Sequence, residues 1–479
     1  MVAPAFNAAR CVPRDSYRIF VSLVLLSSLL LLTGCSPATA VRTAAAAPAE
    51  VVAPLREAAV PLTGEGRDYD PLLEMVGDSR FVLLGDATHG THEFYRERAR
   101  ITERLIREKG FDAVAIEGDW HDAFRVNQYV RGQGVRVLGG DASAEAALSG
   151  FREFPGWMWG NTEVRDLVEW LREHNASRPA AERVGFYGLD VYGVVGSADA
   201  VVGSLERLDP AAARRAAKRY ACFSRYRGDF PSYGLDAAAH PVRSCERKAV
   251  DQLQELRGWI ASAKTGADPA RREELLALLQ NARVVRNGEA YYRTLGAVGG
   301  VASWNLRDRH MAATLDELAA HLGRPGQPAK IVVWAHSSHL GDASVTQRAT
   351  LGELNLGQLV RQRYGKEAVL VGFTTYTGTV TAASVWGEHG QLKRVRPALR
   401  ESYSALFHEA GIGDSLLVMR GNGKLVRALE EPRPERAIGV LYHPQDERRS
   451  HYLKTRLSRQ FDAVVYFDET RAVERLERF

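Results

Sequence analysis

Two stretches of the 479-residue sequence set histidines beside carboxylates: Gly85-Asp86-Ala87-Thr88-His89-Gly90 and Ala335-His336-Ser337-Ser338-His339-Leu340-Gly341-Asp342. A neutral imidazole near pH 7 is a ready general base, and a carboxylate on the same turn can orient it, as in hydrolytic triads. His89 therefore reads as a base and Asp86 as its orienting acid, the bland alternative being a histidine that caps the next helix. His336 and His339 form a His-x-x-His pair that could hold a metal, donate to a developing negative charge, or shuttle protons. Spacing alone leans toward a metal because carboxylates surround the pair. However, neither a His-Glu-x-x-His motif nor a cysteine-rich zinc pattern is present. Glu117, in Glu117-Gly118-Asp119-Trp120-His121, is a second acid or base, or a helix cap. Arg98 lies nine residues beyond His89; it could anchor a carboxylate or stabilise an oxyanion, although a lone helical arginine is more often a solvated surface residue. Gly413-Asp414-Ser415-Leu416 superficially resembles a hydrolase serine motif but lacks the Gly-x-Ser-x-Gly elbow and reads as a loop. With no covalent nucleophile evident, direct attack by water is the favoured chemistry.

These residues need elements to bring them together. Short β-branched or apolar runs at 81–84, 113–116, 135–138, 184–187, 331–334, 368–372, 437–441 and 463–467 predict buried strands, with helical patterns such as 94–109 and 163–175 between them. Alternation of this kind predicts an α/β fold with a mainly parallel central sheet flanked by helices. From 197 to 321 charged amphipathic runs (210–223, 245–264, 269–295) replace strands, which predicts a helical insertion, with a helix at 303–321 leading back to the sheet. The α/β domain is thus expected at 59–196 and 322–479. The acids and histidines, with Gly188-Leu189-Asp190, each directly follow a predicted strand, and open α/β sheets bind ligands at the carboxyl ends of their strands. One rim would collect them all. Asp119, Trp120, Trp157, Trp159, Asp190, Tyr291, Trp304, Arg307 and His310 are the candidates for substrate contact. Aromatics at such spacings are more often core, and for Arg307 and His310 an internal ion pair is an equal reading.

The composition, 45% apolar and 25% charged, is that of a globular chain and excludes disorder or coiled coil as the dominant state. The net charge of +5 comes from 63 basic and 58 acidic residues that are interspersed. No basic stripe suited to phosphates appears, which argues against a nucleic-acid partner. Arg10, Arg14 and Arg18 precede an apolar run at 19–32 that ends in Leu32-Thr33-Gly34-Cys35. The pattern is that of a secretory signal, and the run is short for a transmembrane helix. Leu-Thr-Gly-Cys resembles a bacterial lipobox, so residues 1–34 are expected to be removed and Cys35 lipidated. That would place the protein outside the cytoplasm on a membrane anchor, with 35–58 as a flexible Ala/Pro/Thr-rich tether. In an exported chain Cys222 and Cys245 could form a disulfide, the alternative being two free or buried thiols.

Several of these stretches together resemble the erythromycin esterase family: Leu-Gly-Asp-Ala-Thr-His-Gly-Thr-His-Glu-Phe-Tyr, Ala-Ile-Glu-Gly-Asp-Trp, Phe-Pro-Gly-Trp-Met-Trp, Ser-Trp-Asn-Leu-Arg-Asp-Arg-His-Met and Trp-Ala-His-Ser-Ser-His-Leu-Gly-Asp. Gly-Phe-Thr-Thr-Tyr-Thr-Gly-Thr-Val at 372–380 and Glu-Arg-Arg-Ser-His-Tyr at 447–452 extend the likeness, which spans about 60–476. The resemblance implies an α/β core with a helical insertion and a cleft between them, and hydrolysis of a small-molecule ester or lactone, the macrolactone of erythromycin-type antibiotics in the resistance members. It implies that His89 activates water, that Arg98 and Glu117 belong to the site, and that His336 and His339 are the histidine pair of the family's Ala-His-x-x-His loop. Asp86 stands where the resistance enzymes carry Glu, Ser337 where an Asn is frequent, and Gly160 where an Arg is expected. These departures bear on the substrate more than on hydrolysis. No cofactor is implied. The rival readings are a divalent-metal hydrolase using the same residues and a non-catalytic lipoprotein that captures a ligand.

Overall fold

The structure is a computed structural model that describes residues 49–132, 143–151, 155–262 and 269–476. The expected signal at 1–34, Cys35, most of the tether and the strand at 135–138 lie outside the described residues.

Strands β1 (Ala59–Pro61), β2 (Phe81–Asp86), β3 (Ala113–Asp119), β4 (Gly185–Asp190), β5 (Ile331–His336), β6 (Ala368–Ala382), β7 (Gln391–Val395), β8 (Ser415–Val418) and β11 (Ala463–Thr470) form one nine-stranded sheet. Its order is β1-β8-β11-β6-β2-β5-β3-β4, with β7 paired to β6. From β11 to β4 all neighbours are parallel; β1, β7 and β8 are added antiparallel at its margins. Every residue of β2 and β5 is buried, as a parallel sheet covered on both faces requires. Period-2 geometry divides their side chains between two cores. Val82, Leu84, Val332 and Trp334 point to one face, where helices His92–Lys109 and Thr162–Ala176 bury Phe94, Leu105, Val164 and Leu167. Phe81, Leu83, Ile331 and Val333 point to the other, covered by Met311 and Leu315 of helix Gly300–Leu322 and by Leu356, Leu406 and Phe407. The predicted α/β architecture is thus the observed one.

Helices Val194–Leu208, Pro210–Tyr220, Phe230–Ala239, Glu246–Ser262 and Pro269–Ala297 pack around a third core that includes Tyr220, Tyr233, Leu253 and Val285. Cys222 and Cys245 are disulfide-bonded within this block, with Cα atoms 6.1 Å apart.

Three sequence expectations need correction. Residues 49–58, read as tether, form helix Ala49–Ala58, because Val51, Val52 and Leu55 pack on the second face of the sheet. The 413–416 loop runs into β8, whose Leu416 and Leu417 are fully buried against β11. Residues 437–441 do not join the sheet as a strand. They cross the strand ends, with single bridges from Ile438 to Thr88 and from Leu441 to Ala383. A separate hairpin, β9 (Arg433–Arg436) with β10 (Tyr452–Thr455), stands beside them. Among the described residues no helix is long and apolar enough to cross a membrane.

Two glycines allow the backbone to close around the strand ends. Gly118 lies where the register of β3 shifts between Ile116 and Asp119, and a Cβ there would meet Ile116 at 2.8 Å and the Trp159 indole nitrogen at 3.0 Å. Gly90 follows His89 with φ +66°, and its Cβ would fall 2.2 Å from the Thr381 carbonyl oxygen. Gly90→Ala combines left-handed strain with a backbone clash, so it is expected to cost about 2 kcal/mol or more. Gly64→Ala, at φ +85° in open space, should cost only about 1 kcal/mol. Thermal unfolding of the two variants checks the difference.

Candidate active site

β2 ends on Asp86, and the turn after it presents His89, whose Nδ1 lies 3.3 Å from Asp86 Oδ1. Behind them, helix His92–Lys109 places an Arg98 terminal nitrogen 3.1 Å from Asp86 Oδ2. This arginine is 1% exposed, and its guanidinium packs on the rings of Tyr95 (4.3 Å) and Trp334 (4.7 Å). Burial on its own would raise the Asp86 pKa, but the charges of Arg98 and His89 outweigh it and hold the carboxyl below its usual range. With a carboxylate at Nδ1, the neutral His89 ring keeps its proton there. Nε2 is the other ring nitrogen, on the cleft side and 3.9 Å from Glu117 Oε2, a geometry open to a general base. Neither Asp86 nor Arg98 lines the cleft; His89 lies between them and it.

A second charge network closes the site. Arg307 of helix Gly300–Leu322 donates twice to Asp190 at the end of β4 (2.8 and 2.6 Å) and once to Glu117 of β3 (2.6 Å). Glu117 Oε2 accepts the backbone N–H of His336 (2.8 Å). Burial pushes the Glu117 pKa up, yet His339 and Arg307 hold it well below the carboxylate range. His339 lies between Asp308 (2.9 Å at Nδ1) and Glu117 (3.3 Å at Nε2), stacked 4.3 Å from the Trp304 ring. Burial disfavours its charge, but Asp308 and Glu117 prevail and raise its pKa to about 9. At Nε2 the neutral ring accepts the Arg307 N–H at 2.8 Å, and Glu117 Oε1, 3.3 Å away, is the ion-pair partner when the ring is protonated.

His336, three residues earlier, is its opposite. Burial, reinforced by His89, lowers its pKa to about 3. Its Nδ1 accepts the Ser338 backbone N–H (3.2 Å), so the ring proton sits on Nε2. That buried Nε2 has no hydrogen-bond partner among the described residues, and the ring lies 4.8 Å from His89. His336 is a neutral N–H donor beside the base.

These groups open into a cleft of about 310 Å³. His89, Glu117, Asp119, Trp159, Asp190, Trp304, Arg307, His336 and His339 line it, as the sequence suggests. Trp159 donates from its indole nitrogen to the Glu117 carbonyl (3.1 Å), and Asp119 accepts the Gly193 N–H (2.9 Å). Four other candidates lie elsewhere. Trp120 stacks on Tyr187 (5.8 Å) inside the core, where its position at the start of a helix turns it toward the sheet. Trp157 packs behind Gly90 and Gly390. Tyr291 sits edge-on to Tyr192 (5.4 Å), and Tyr192 is the ring that faces the cleft. His310 is buried against Asn287 (2.7 Å), its pKa lowered by burial to about 4. Sequence reasoning missed Tyr192, Arg348, Trp386 and the 437–440 segment. Only Tyr192, two residues past Asp190, carried a local signal. Among the described residues no group of three or more His, Cys, Asp or Glu is arranged to hold a metal ion.

With this geometry in view, known proteins can be compared. Residues 106–470 match the family described as erythromycin esterase. An erythromycin esterase type II from Escherichia coli is 25% identical over 327 residues, 66% of this chain and 73% of that protein. A Bacillus cereus protein of known structure superposes with a TM-score of 0.72 at 21% identity, covering 89% of this chain and 99% of that one. A succinoglycan biosynthesis protein gives 0.70 at 21% identity over 88% and 97% of the two chains. An erythromycin esterase mutant in its open conformation gives 0.62 at 15% identity over 85% and 94%. The two solved structures with the higher scores share the fold without sharing a printed activity, whereas the family match spans the strands and helices that carry Glu117, Asp190, Arg307, His336 and His339. The chain belongs to the erythromycin esterase family.

Proposed function

We propose that the protein hydrolyses a carboxylic ester or lactone by direct attack of water, with His89 as the general base. The observation that carries this reading is the arrangement of His89, backed by the buried Asp86–Arg98 pair at one nitrogen and open to the cleft at the other. A water near His89 Nε2 and Glu117 Oε2 loses a proton to His89 as its oxygen bonds to the ester carbonyl carbon. The carbonyl oxygen becomes an oxyanion and accepts the Nε2–H of His336, which gains strength as charge develops. As the C–O bond breaks, protonated His89 returns its proton to the leaving alkoxide, giving an acid and an alcohol. Glu117, held ionised by Arg307 and His339, orients the water and balances the imidazolium. General-base help contributes roughly 10²–10⁴-fold, and a single oxyanion donor about 10²–10³-fold.

The cleft volume of about 310 Å³ is near the lower bound of ligand sites, roughly 300–1,000 Å³, and favours a compact ester over a whole macrolactone. Asp86 supports the same view. It is fully buried between His89 and Arg98, so the site has closed around an acid one methylene shorter than Glu. The basic n-region, apolar run and Leu-Thr-Gly-Cys support an exported protein anchored by lipid at Cys35, and the Cys222–Cys245 bridge suits an oxidising compartment.

Three outcomes test this. His89→Ala should lower kcat on a panel of small esters and lactones by about 10²–10⁴-fold while the protein stays folded. Undiminished turnover would remove the base assignment, absence of any wild-type turnover would favour a ligand-binding role, and activity abolished by a chelator would favour the metal mechanism. Second, a raised histidine pKa contributes stability that is full below its ordinary value near 6.5 and is lost as pH rises through about 9. On the order of 3 kcal/mol of stability should therefore disappear across that window in the wild type, and His339→Gln should flatten the slope. Denaturant titrations at several pH values read both. Third, Cys35→Ala should abolish lipid labelling in a bacterial host and release the protein from the membrane fraction; retained labelling overturns the anchor.

A further inference from the structure

Glu-Arg-Arg-Ser-His-Tyr at 447–452 contributes nothing to the cleft lining. Glu447 instead accepts the Nε–H of Arg436 at 2.8 Å and the Tyr442 hydroxyl at 2.9 Å. Both charged residues are buried, Arg436 at 1% and Glu447 at 5% exposure. The remaining Arg436 nitrogens donate to the carbonyls of Thr375 and Tyr376 (3.0 Å each) and of Arg396 (2.6 Å). One guanidinium thus ties β6 and the chain after β7 to helix Glu447–Ser450. His451 of the same stretch accepts the Ala437 N–H at its carbonyl (2.8 Å).

What this pair anchors is the segment crossing the strand ends. Immediately after Arg436, Ala437, Gly439 and Val440 form a wall of the cleft. Between them Ile438 donates its N–H to the Ala87 carbonyl (2.8 Å) and accepts the His89 N–H (3.0 Å). Those two bonds grip the turn that carries His89. The far end is fixed as well: Ala383 N–H donates to Val440, and Tyr442 N–H donates to Ala383.

We propose that Arg436 and Glu447 are positioning residues: their buried ion pair holds the 437–441 strap against Ala87 and His89, and so sets where His89 Nε2 points. Neither touches substrate. The inference rests on the hydrolytic reading for its kinetic consequence but not for its structural one, and the two are measured separately. Misplacing a catalytic group by about 1 Å costs roughly 10²-fold in rate.

The test compares the full-length protein with Glu447→Ala, Glu447→Gln and Glu289→Ala. Glu289 is an equally buried acid in the helical block, paired with Arg293 and Tyr233 and remote from the strap. In Glu447→Ala, amide exchange of the 86–91 segment should accelerate at least about tenfold, because the His89 N–H loses its steady acceptor. On a chromogenic aryl ester its kcat should fall about 10²-fold with KM changed by less than about threefold. Glu447→Gln keeps one oxygen to accept the Arg436 Nε–H and sets an NH2 donor against the Tyr442 hydroxyl, which can rotate to accept it, and should recover kcat to within about fivefold of wild type. Glu289→Ala should lower Tm comparably and leave both readouts unchanged. If Glu447→Ala does not fold, Arg436→Lys, which cannot span the same carbonyls, should show the same pair of effects. Unchanged exchange or unchanged kcat in the folded variant, or equal effects from Glu289→Ala, overturns the proposal. A wild type with no ester turnover would sink the hydrolytic reading, while the exchange measurement would still decide the strap.

Discussion

Four carboxylates, those of Asp86, Glu117, Asp190 and Asp308, are buried at the carboxyl rim of one parallel sheet and on the helix above it, none more than 7% exposed. An unpaired carboxylate in such a place would cost several kcal/mol or would take up a proton. The surrounding structure is organised to prevent that. Arg98 neutralises Asp86 from the helix below, Arg307 spans Asp190 and Glu117, and His339 bridges Glu117 and Asp308. A buried ion network of this kind contributes little net stability against apolar packing. What it confers is a fixed field, and a fixed field is what an ester hydrolase needs at the moment an oxyanion forms.

The same constraint explains why histidines with identical chemistry do different work. His339 faces carboxylates at both nitrogens, which favour its charged form, whereas His336 has its Nδ1 occupied by a backbone N–H and burial favours its neutral form. The difference, about 9 against about 3, arises within one turn of chain. Two histidines three residues apart are thereby shifted in opposite directions by their surroundings alone. His89 has a third setting, with the Asp86 carboxylate at one nitrogen and the cleft at the other.

Much of this was legible in the residues. Apolar runs such as Phe81-Val82-Leu83-Leu84 and Ile331-Val332-Val333-Trp334 can only be buried strands, and once they are, Asp86 and His336 fall at their ends by counting. Arg98 was legible in type but not in place: the rule that a lone helical arginine faces water fails because Tyr95, Trp334 and Asp86 surround it, and two of those three come from other elements. Tryptophan was the least legible residue. Trp157 and Trp159 differ by two positions, yet one packs behind Gly90 and the other faces the cleft, because a short 3-10 turn at Gly156–Met158 rotates successive side chains between the two. Strand β8 and helix Ala49–Ala58 escaped the reading because each is short and is fixed by long-range packing rather than by its own periodicity.

Chemistry and specificity come from different parts of the chain. The buried acids and histidines sit at or just after strand ends and on helices packed on the sheet, and a one-residue slip of a strand would reverse the face its side chains occupy. The cleft walls come from connections: Tyr192 after β4, Arg348 after β5, Trp386 between β6 and β7, and the 437–440 strap. Connections of this kind tolerate change because they carry few of the buried contacts that hold the sheet. Asp86 links the two, since it is fully buried between Arg98 and His89 and meets the cleft only through the histidine ring. Because Asp86 Oδ1 lies 3.3 Å from the ring that lines the cleft, a change in the length of this acid would shift that ring, so the buried rim and the cleft walls are coupled at this one position.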